Sequence, residues 1–219
     1  MSEIPASPTP APPSRRSPVQ ARSRARVDAI LDAADAVFLE KGYAATTTNH
    51  VAARAGTSIG SLYRFFPDKE AILVALAERY GARMRAIAVT VTAPDTRGQT
   101  LASRVATGID SFNAFLVASP GFRTLIDEAR NPALRAGRRS HEAAMAALMG
   151  ASQSRMTPEM PPGELEAVVE VTQVVLGALQ ALSVSRDEAF RAVVVAEAKR
   201  MVTGYLARRM GIAEDAPLG

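Results

Sequence analysis

Hydrophobic positions recur at spacings of three and four along most of the chain, the period of a helix with one buried face. Val27, Ile30, Leu31, Ala34 and Phe38 mark the first such run, and Gly42 predicts its left-handed stop. Thr46 or Thr47 predicts the cap of a short helix reaching Ala55, with Val51, Ala52 and Ala55 turned inward. Gly56 breaks that helix, and Ser58 predicts the cap of another that points Leu62 and Phe66 inward. Pro67 closes it. Asp68 then opens a helix carrying Ile72, Leu73, Leu76, Tyr80 and Met84. Beyond a gap at 94–98, Leu101, Val105, Ile109, Phe112 and Leu116 predict the next helix. Pro120-Gly121 and Asn131-Pro132 bracket a short segment at 122–129, and a further helix is expected over 133–149. Residues 150–163, with Pro158, Pro161 and Pro162, read as a loop.

The last two helices are apolar on more than one side. Over 164–184, Leu165, Val168, Val169, Val175, Leu176, Leu179 and Leu182 form one side, and Val171, Val174 and Ala178 add a second. Over 187–210 the apolar positions are Phe190, Val193, Val194, Met201, Val202, Tyr205 and Leu206. Such helices must bury both sides, one in their own core and the other either against a second copy or as a wholly internal helix of a monomer. The β-branched runs Val89-Thr90-Val91-Thr92 and Val193-Val194-Val195 sit inside helical periods, and no repeat emerges. The fold class is therefore all-α. Residues 1–20 read as a disordered Pro/Ala/Ser-rich tail, because Pro5, Pro8, Pro10, Pro12, Pro13 and Pro18 break any regular ladder.

Composition narrows the chemistry. With 219 residues, 47% of them hydrophobic, the chain can bury a sizeable core. It has no cysteine, which excludes disulfides, thiolate metal sites and a cysteine nucleophile. The net charge of +4 is unevenly spread: Arg15, Arg16, Arg22, Arg24 and Arg26 lie together with no acid among them. Such a run attracts a polyanion. The first residues lack the apolar segment of a signal peptide. No apolar run reaches the roughly 18 residues of a membrane span. The nearest, at 167–184, is interrupted by Glu170, Thr172, Gln173 and Gln180. A cytoplasmic protein is expected, with no membrane partner.

The stretch Thr57-Ser58-Ile59-Gly60-Ser61-Leu62-Tyr63-Arg64-Phe65-Phe66 mixes small, aromatic and charged residues. Read with Gly56 it matches G-x-S-x-G, the nucleophile turn of a hydrolase. That turn needs a strand before the serine, and Val51–Ala55 reads as helix. The other reading is a helix-turn-helix, whose second helix enters the DNA major groove by its N-terminal residues. Small or hydrogen-bonding Thr57, Ser58, Gly60 and Ser61 allow close approach, and Ile59 could meet a thymine methyl. Tyr63 and Arg64 lie on the outer side, within reach of phosphate.

From Arg26 to about Leu76 the chain resembles the TetR (tetracycline-repressor) family of bacterial transcriptional regulators. The matching residues are Phe38, Gly42-Tyr43, Thr46-Thr47, Val51-Ala52, Ala55-Gly56, Ser58, Gly60, Leu62-Tyr63, Phe66 and Lys69-Glu70. The resemblance implies a helix-turn-helix domain at 21–68, a helical ligand-binding and dimerisation domain at 69–212, and a flexible end at 213–219. It implies DNA contacts by Thr46, Thr47, Thr57, Ser58, Ile59, Gly60, Ser61, Tyr63, Arg64 and Lys69, the last at a helix start that favours phosphate. Asn49 is a weaker candidate. It implies an arm preceding the first helix, with Arg24 and Arg26 in the minor groove. His50 departs from the family, which often has an acid there; a solvated surface position is expected, with an altered cap or an added phosphate contact as the alternatives.

The family also implies a homodimer, formed here through the last two helices, that reads a palindromic operator and is released by a small molecule. Phe112, Phe115, Phe122, Leu125, Met145, Leu148, Thr172, Val175 and Leu179 are candidate pocket residues for an apolar effector. His141 is expected at the surface beside Arg138, Arg139 and Glu142, the alternative being a hydrogen bond to the ligand. No cofactor is implied, and two distant histidines without cysteine give no metal cluster. The alternatives are a hydrolase using Ser58 and a helical protein-interaction module.

Overall fold

A computed structural model of the protein describes residues 18–95 and 97–218. The described residues form α1 (Pro18–Lys41), α2 (Thr48–Arg54), α3 (Ile59–Tyr63), α4 (Lys69–Val91) and α5 (Leu101–Val117). They continue with α6 (Phe122–Asp127), a 3-10 turn (Pro132–Leu134), α7 (Arg135–Met156), α8 (Pro162–Ser183) and α9 (Glu188–Met210).

The first three helices pack on the start of α4. Ile30, Leu31, Ala34, Phe38, Val51, Leu62 and Phe66 share one core with Ile72, Leu73, Leu76 and Tyr80. Local sequence sets the boundaries. Gly42 and Gly56 take the positive φ that each turn requires. Thr47, Ser58, Asp68, Thr100 and Asp187 each cap a helix by accepting a backbone N–H. A second core joins Leu101 and Ile109 of α5 to Val168 of α8 and Ala198, Val202 and Leu206 of α9.

Three boundaries differ from expectation. α1 starts at Pro18, inside the stretch read as tail, because proline is suited to a first helical turn whose N–H has no partner. Residues 1–17, with Arg15 and Arg16, lie outside the described residues. α7 runs to Met156 rather than stopping near 149. Its inward face continues through Met145, Met149, Ser152 and Met156 at helical spacing, but buried Ser152 and Gln153 disguise it as polar. The segment after Gly211 folds back instead of hanging free: Ala102 N–H donates to Glu214 O (2.9 Å), Leu218 N–H donates to Gln99 O (2.8 Å), and Leu218 is buried.

α8 is long and apolar enough, by length and composition, to cross a membrane. In the fold it is a bundle helix. Val168, Val169 and Thr172 are buried, and Glu164 pairs with Arg209 of α9 at 3.0 Å. Its opposite side leaves Val171, Val174 and Leu182 exposed, and α9 leaves Val193 and Met201 exposed.

Candidate nucleic-acid interface and internal cavity

α2, the turn and α3 form a helix-turn-helix. Thr47 caps α2 reciprocally with His50: Thr47 Oγ1 accepts from His50 N–H, and His50 Nδ1 accepts from Thr47 N–H, both at 3.3 Å. His50 thus does what a glutamate does in the common capping box. The altered cap is real, and its acceptor is an imidazole nitrogen. Ser58 Oγ accepts from Ser61 N–H at 3.2 Å and keeps its own hydroxyl proton free to donate. α2, not a strand, precedes Ser58, so Gly56-Thr57-Ser58 ends the turn of this motif and Ile59-Gly60 opens α3.

The outer rim of the motif carries Thr47, Ser58, Gly60, Tyr63 and Arg64, all exposed. Tyr63 is 50% exposed, and its phenol shares a 3.1 Å hydrogen bond with Thr48 Oγ1. Gly60 sits in open space: a Cβ there would meet nothing within 4 Å, and its φ is not positive. Neither packing nor backbone conformation within this chain calls for glycine at 60.

Several other expected contact residues also have partners within the chain. Thr46 is 2% exposed, and its hydroxyl donates to Gly42 O at 2.8 Å, so it stabilises the α1–α2 turn and presents nothing outward. Ile59 is half-buried against the head core, which competes with its apolar contact to a base. Thr57 Oγ1 accepts from Arg26 Nη1 at 3.1 Å, tying α1 to the turn. Arg24 and Arg26 are exposed but helical, not part of an arm before the first helix. On a helix Arg22 and Arg26 share a face that Arg24 opposes. Lys69 Nζ donates to Tyr43 O (2.7 Å) and Ala44 O (3.3 Å) and lies 4.4 Å from the Tyr43 ring centroid. Its charge therefore locks α4 to the α1–α2 turn.

α4 leaves the head and reaches a cavity of about 100 Å³, where Ala88 and Val91 contribute to the wall. α5, α7, α8 and α9 close the rest of the wall. Most of it is apolar, with Phe112, Met145, Met149, Leu176 and Val202 prominent. Arg104, Ser152, Gln153, Thr172 and Gln180 are its polar members. Thr172 spends its hydroxyl on Val168 O at 2.7 Å. Burial, and then neighbouring Arg155, pull the Arg104 guanidinium below its ordinary pKa.

Two family models account for these two halves. The tetR family of bacterial regulatory proteins matches residues 30–76. The tetracyclin repressor-like C-terminal domain matches residues 99–210, just over half of the chain. The chain belongs to the TetR family. It is a TetR-family transcriptional regulator with the family's helix-turn-helix and its helical C-terminal domain.

Solved structures agree on the fold. A TetR-family transcriptional regulator from Streptomyces coelicolor is 28% identical over 84% of this chain and 98% of its own, with a TM-score of 0.61. The fatty acid degradation regulator FadR from Bacillus halodurans is 17% identical over 86% of this chain and 96% of its own, at 0.63. SmeT, solved as a complex with triclosan, is 19% identical over 88% of this chain and 95% of its own, at 0.63. No curated protein sequence matches the chain.

Within this TetR-family body the candidate pocket residues divide. Phe112, Met145 and Thr172 line the cavity. Leu179 lines a smaller adjoining one with Asn113, Gln180 and Ser183. Phe115, Phe122 and Leu125 belong instead to the core shared with the head. There Tyr80, Phe115 and Phe122 stack edge-to-face at 5.4–6.0 Å, a joint between α4, α5 and α6. Leu148 and Val175 are half-buried and line neither cavity. The residues missed from sequence were the polar wall, Arg104, Ser152 and Gln153, and the helix extension beyond 149 hid the last two. His141 is half-buried rather than fully at the surface, and its Nδ1 is buried without a partner among the described residues.

Proposed function

We propose that the protein is a homodimeric repressor that binds a palindromic operator and is released when a small, largely apolar molecule enters the cavity. The open space at Gly60 carries the DNA reading. A glycine that the chain itself does not need, at the start of a recognition helix, leaves room for a base edge or phosphate to approach the backbone. Ser58, Ser61, Tyr63 and Arg64 supply hydrogen bonds around it, with Thr47 and Thr57 beside them. Arg24 and Arg26 add phosphate attraction from α1. Thr46, Ile59 and Lys69 support this surface from behind.

The dimer forms through α8 and α9. Val174 is 72% exposed and Val193 58% exposed, and with Val171, Leu182 and Met201 they make an apolar surface on the two adjacent helices. A matching copy would bury it, as four-helix packing does. Introducing charge as Val174→Glu with Val193→Glu should yield monomers by sedimentation and lose palindrome binding. A dimer that persists would place the interface elsewhere.

α4 is the lever. Its first half is packed in the head core and its last turns line the cavity. A ligand that favours one placement of α4 changes the separation of the paired heads, which must match half-sites roughly 34–36 Å apart. This function needs no catalysis, and it places the protein in the cytoplasm. Selecting bound sequences from a random duplex pool at moderate salt tests it. Enrichment of a palindrome supports the repressor reading. Recovery of unrelated sequences, with binding that vanishes as salt rises, overturns it.

A further inference from the structure

Arg104 and Gln153 both line the cavity, and each keeps hydrogen-bonding capacity that the chain leaves unused. Arg104 Nη2 donates to Ala93 O (2.9 Å) and Ser152 Oγ (3.0 Å), and Nη1 donates to Gln99 Oε1 (3.3 Å). All three acceptors are neutral. Among the described residues no carboxylate lies within ion-pair distance of this guanidinium. Its Nε–H and one Nη1 proton remain unclaimed by these bonds. Arg155 adds a second cation nearby, its own Nη2 donating to Thr92 O at 2.8 Å.

Gln153 follows Ser152 on the same turn of α7. It is 4% exposed, and its Oε1 is buried without any partner. Native folds tolerate few such atoms, because each forgoes its bonds to water. One that lines a cavity is placed to accept from whatever fills it. The rest of the wall offers Phe112, Met145, Met149, Leu176 and Val202, which suit an apolar body.

We propose that the cavity binds a small organic acid, its anionic group paired with Arg104, a neighbouring hydroxyl or N–H donated to Gln153 Oε1, and its apolar body against Phe112 and the methionines. This rests on the reading of the cavity as the effector site and sharpens it from an apolar ligand to an amphiphilic anion. An uncompensated cation beside a second cation gains most from a charged acceptor, and charge-assisted bonds are the strong ones.

Calorimetric titration of the full chain, without DNA, tests it. The probes are straight-chain 2-hydroxy acids of about four to about twelve carbons, the corresponding plain acids, and the matching alkane-1,2-diols, a range spanning ligands the cavity holds with and without side-chain movement. At the best-fitting length the hydroxy acid should bind at least about tenfold more tightly than its diol. Arg104→Met should erase that advantage while leaving diol binding in place, and Arg104→Lys should keep part of it. Gln153→Leu should erase only the preference for hydroxy acid over plain acid. If Arg104→Met does not fold, Arg104→Gln carries the same comparison. Equal binding of acid and diol at every length, an acid preference that survives the loss of Arg104's charge, or no binding by any probe would overturn the proposal. Because no DNA is present, failure here is distinguishable from failure of operator selection.

Discussion

Tyr80 donates a 2.7 Å hydrogen bond from its phenol to Asp35 Oδ2, and so joins α4 to α1. The same carboxylate lies against Gly121 at the start of α6, where an added Cβ would stand 1.9 Å from Asp35 Oδ1. Burial first, and then the bond to Asp35, push the phenol's pKa well above the ordinary tyrosine range, so it remains a donor throughout the working pH range. Head, lever and body therefore meet at one short contact that has no room for a methyl group.

Gly121→Ala should force Asp35 off Tyr80 and destabilise the fold by about 1–3 kcal/mol, the usual cost of overpacking. Tyr80→Phe should cost about 1–2 kcal/mol through the lost bond to a charged acceptor. In an Asp35→Ala background the alanine at 121 should cost much less, because its obstacle is gone. Urea unfolding of the single and double variants measures this coupling. Additive costs would mean that Asp35 is not what Gly121 accommodates.

Gly60→Ala should separate folding from DNA binding. A helical glycine replaced by alanine in open space gains up to about 1 kcal/mol of stability. The same methyl should weaken operator binding by about tenfold or more, since it fills the approach reserved for DNA. Thermal unfolding and a binding titration on one preparation decide it. A variant that is more stable and binds as well as the parent would remove Gly60 from the interface.

Lys69 and Tyr63 should behave differently. Lys69→Ala loses two bonds to turn carbonyls and a cation–π contact with Tyr43, so both unfolding temperature and DNA affinity should fall. Tyr63→Phe loses only a surface bond to Thr48, and its unfolding temperature should hardly change while DNA affinity drops. A Lys69→Ala protein of unchanged stability would return that lysine to the phosphate-contact role implied by the family pattern.

His141 should make stability depend on pH. Burial first, and Arg85 second, hold its imidazole pKa below the usual value, against the opposing effect of Glu142. The unfolded chain therefore takes up the proton before the folded one does. The resulting stability is present above about pH 6.5 and is lost as pH falls from there through the lowered folded value. The urea midpoint should drop between about pH 7 and about pH 5, and less steeply in His141→Gln. Parallel profiles in the two proteins would show that other groups set the trend.

Much of this fold was legible locally. The spacing of Val27, Ile30, Leu31, Ala34 and Phe38, the caps at Thr47, Ser58 and Asp68, and the stops at Gly42 and Gly56 are short-range signals. A cap needs only residues three apart, and a buried face needs only a period. α7 beyond residue 149 was illegible for the converse reason: its inward Ser152 and Gln153 look like solvent-facing residues until a guanidinium and a cavity are placed opposite them.

By itself the sequence determined an all-α chain, a helix-turn-helix between Thr47 and Phe66, its TetR-like pattern, and surplus apolar faces on the last two helices. Only the tertiary structure decided which side chains face outward. It buried Thr46, committed Lys69 to the carbonyls of Tyr43 and Ala44, and sent Phe115, Phe122 and Leu125 to the head joint rather than the cavity. The reason is that periodicity assigns a residue to a face of its own helix, whereas its role depends on which other helix that face meets. That meeting joins groups far apart in sequence, as with Arg104 and Ser152 or Asp35 and Tyr80.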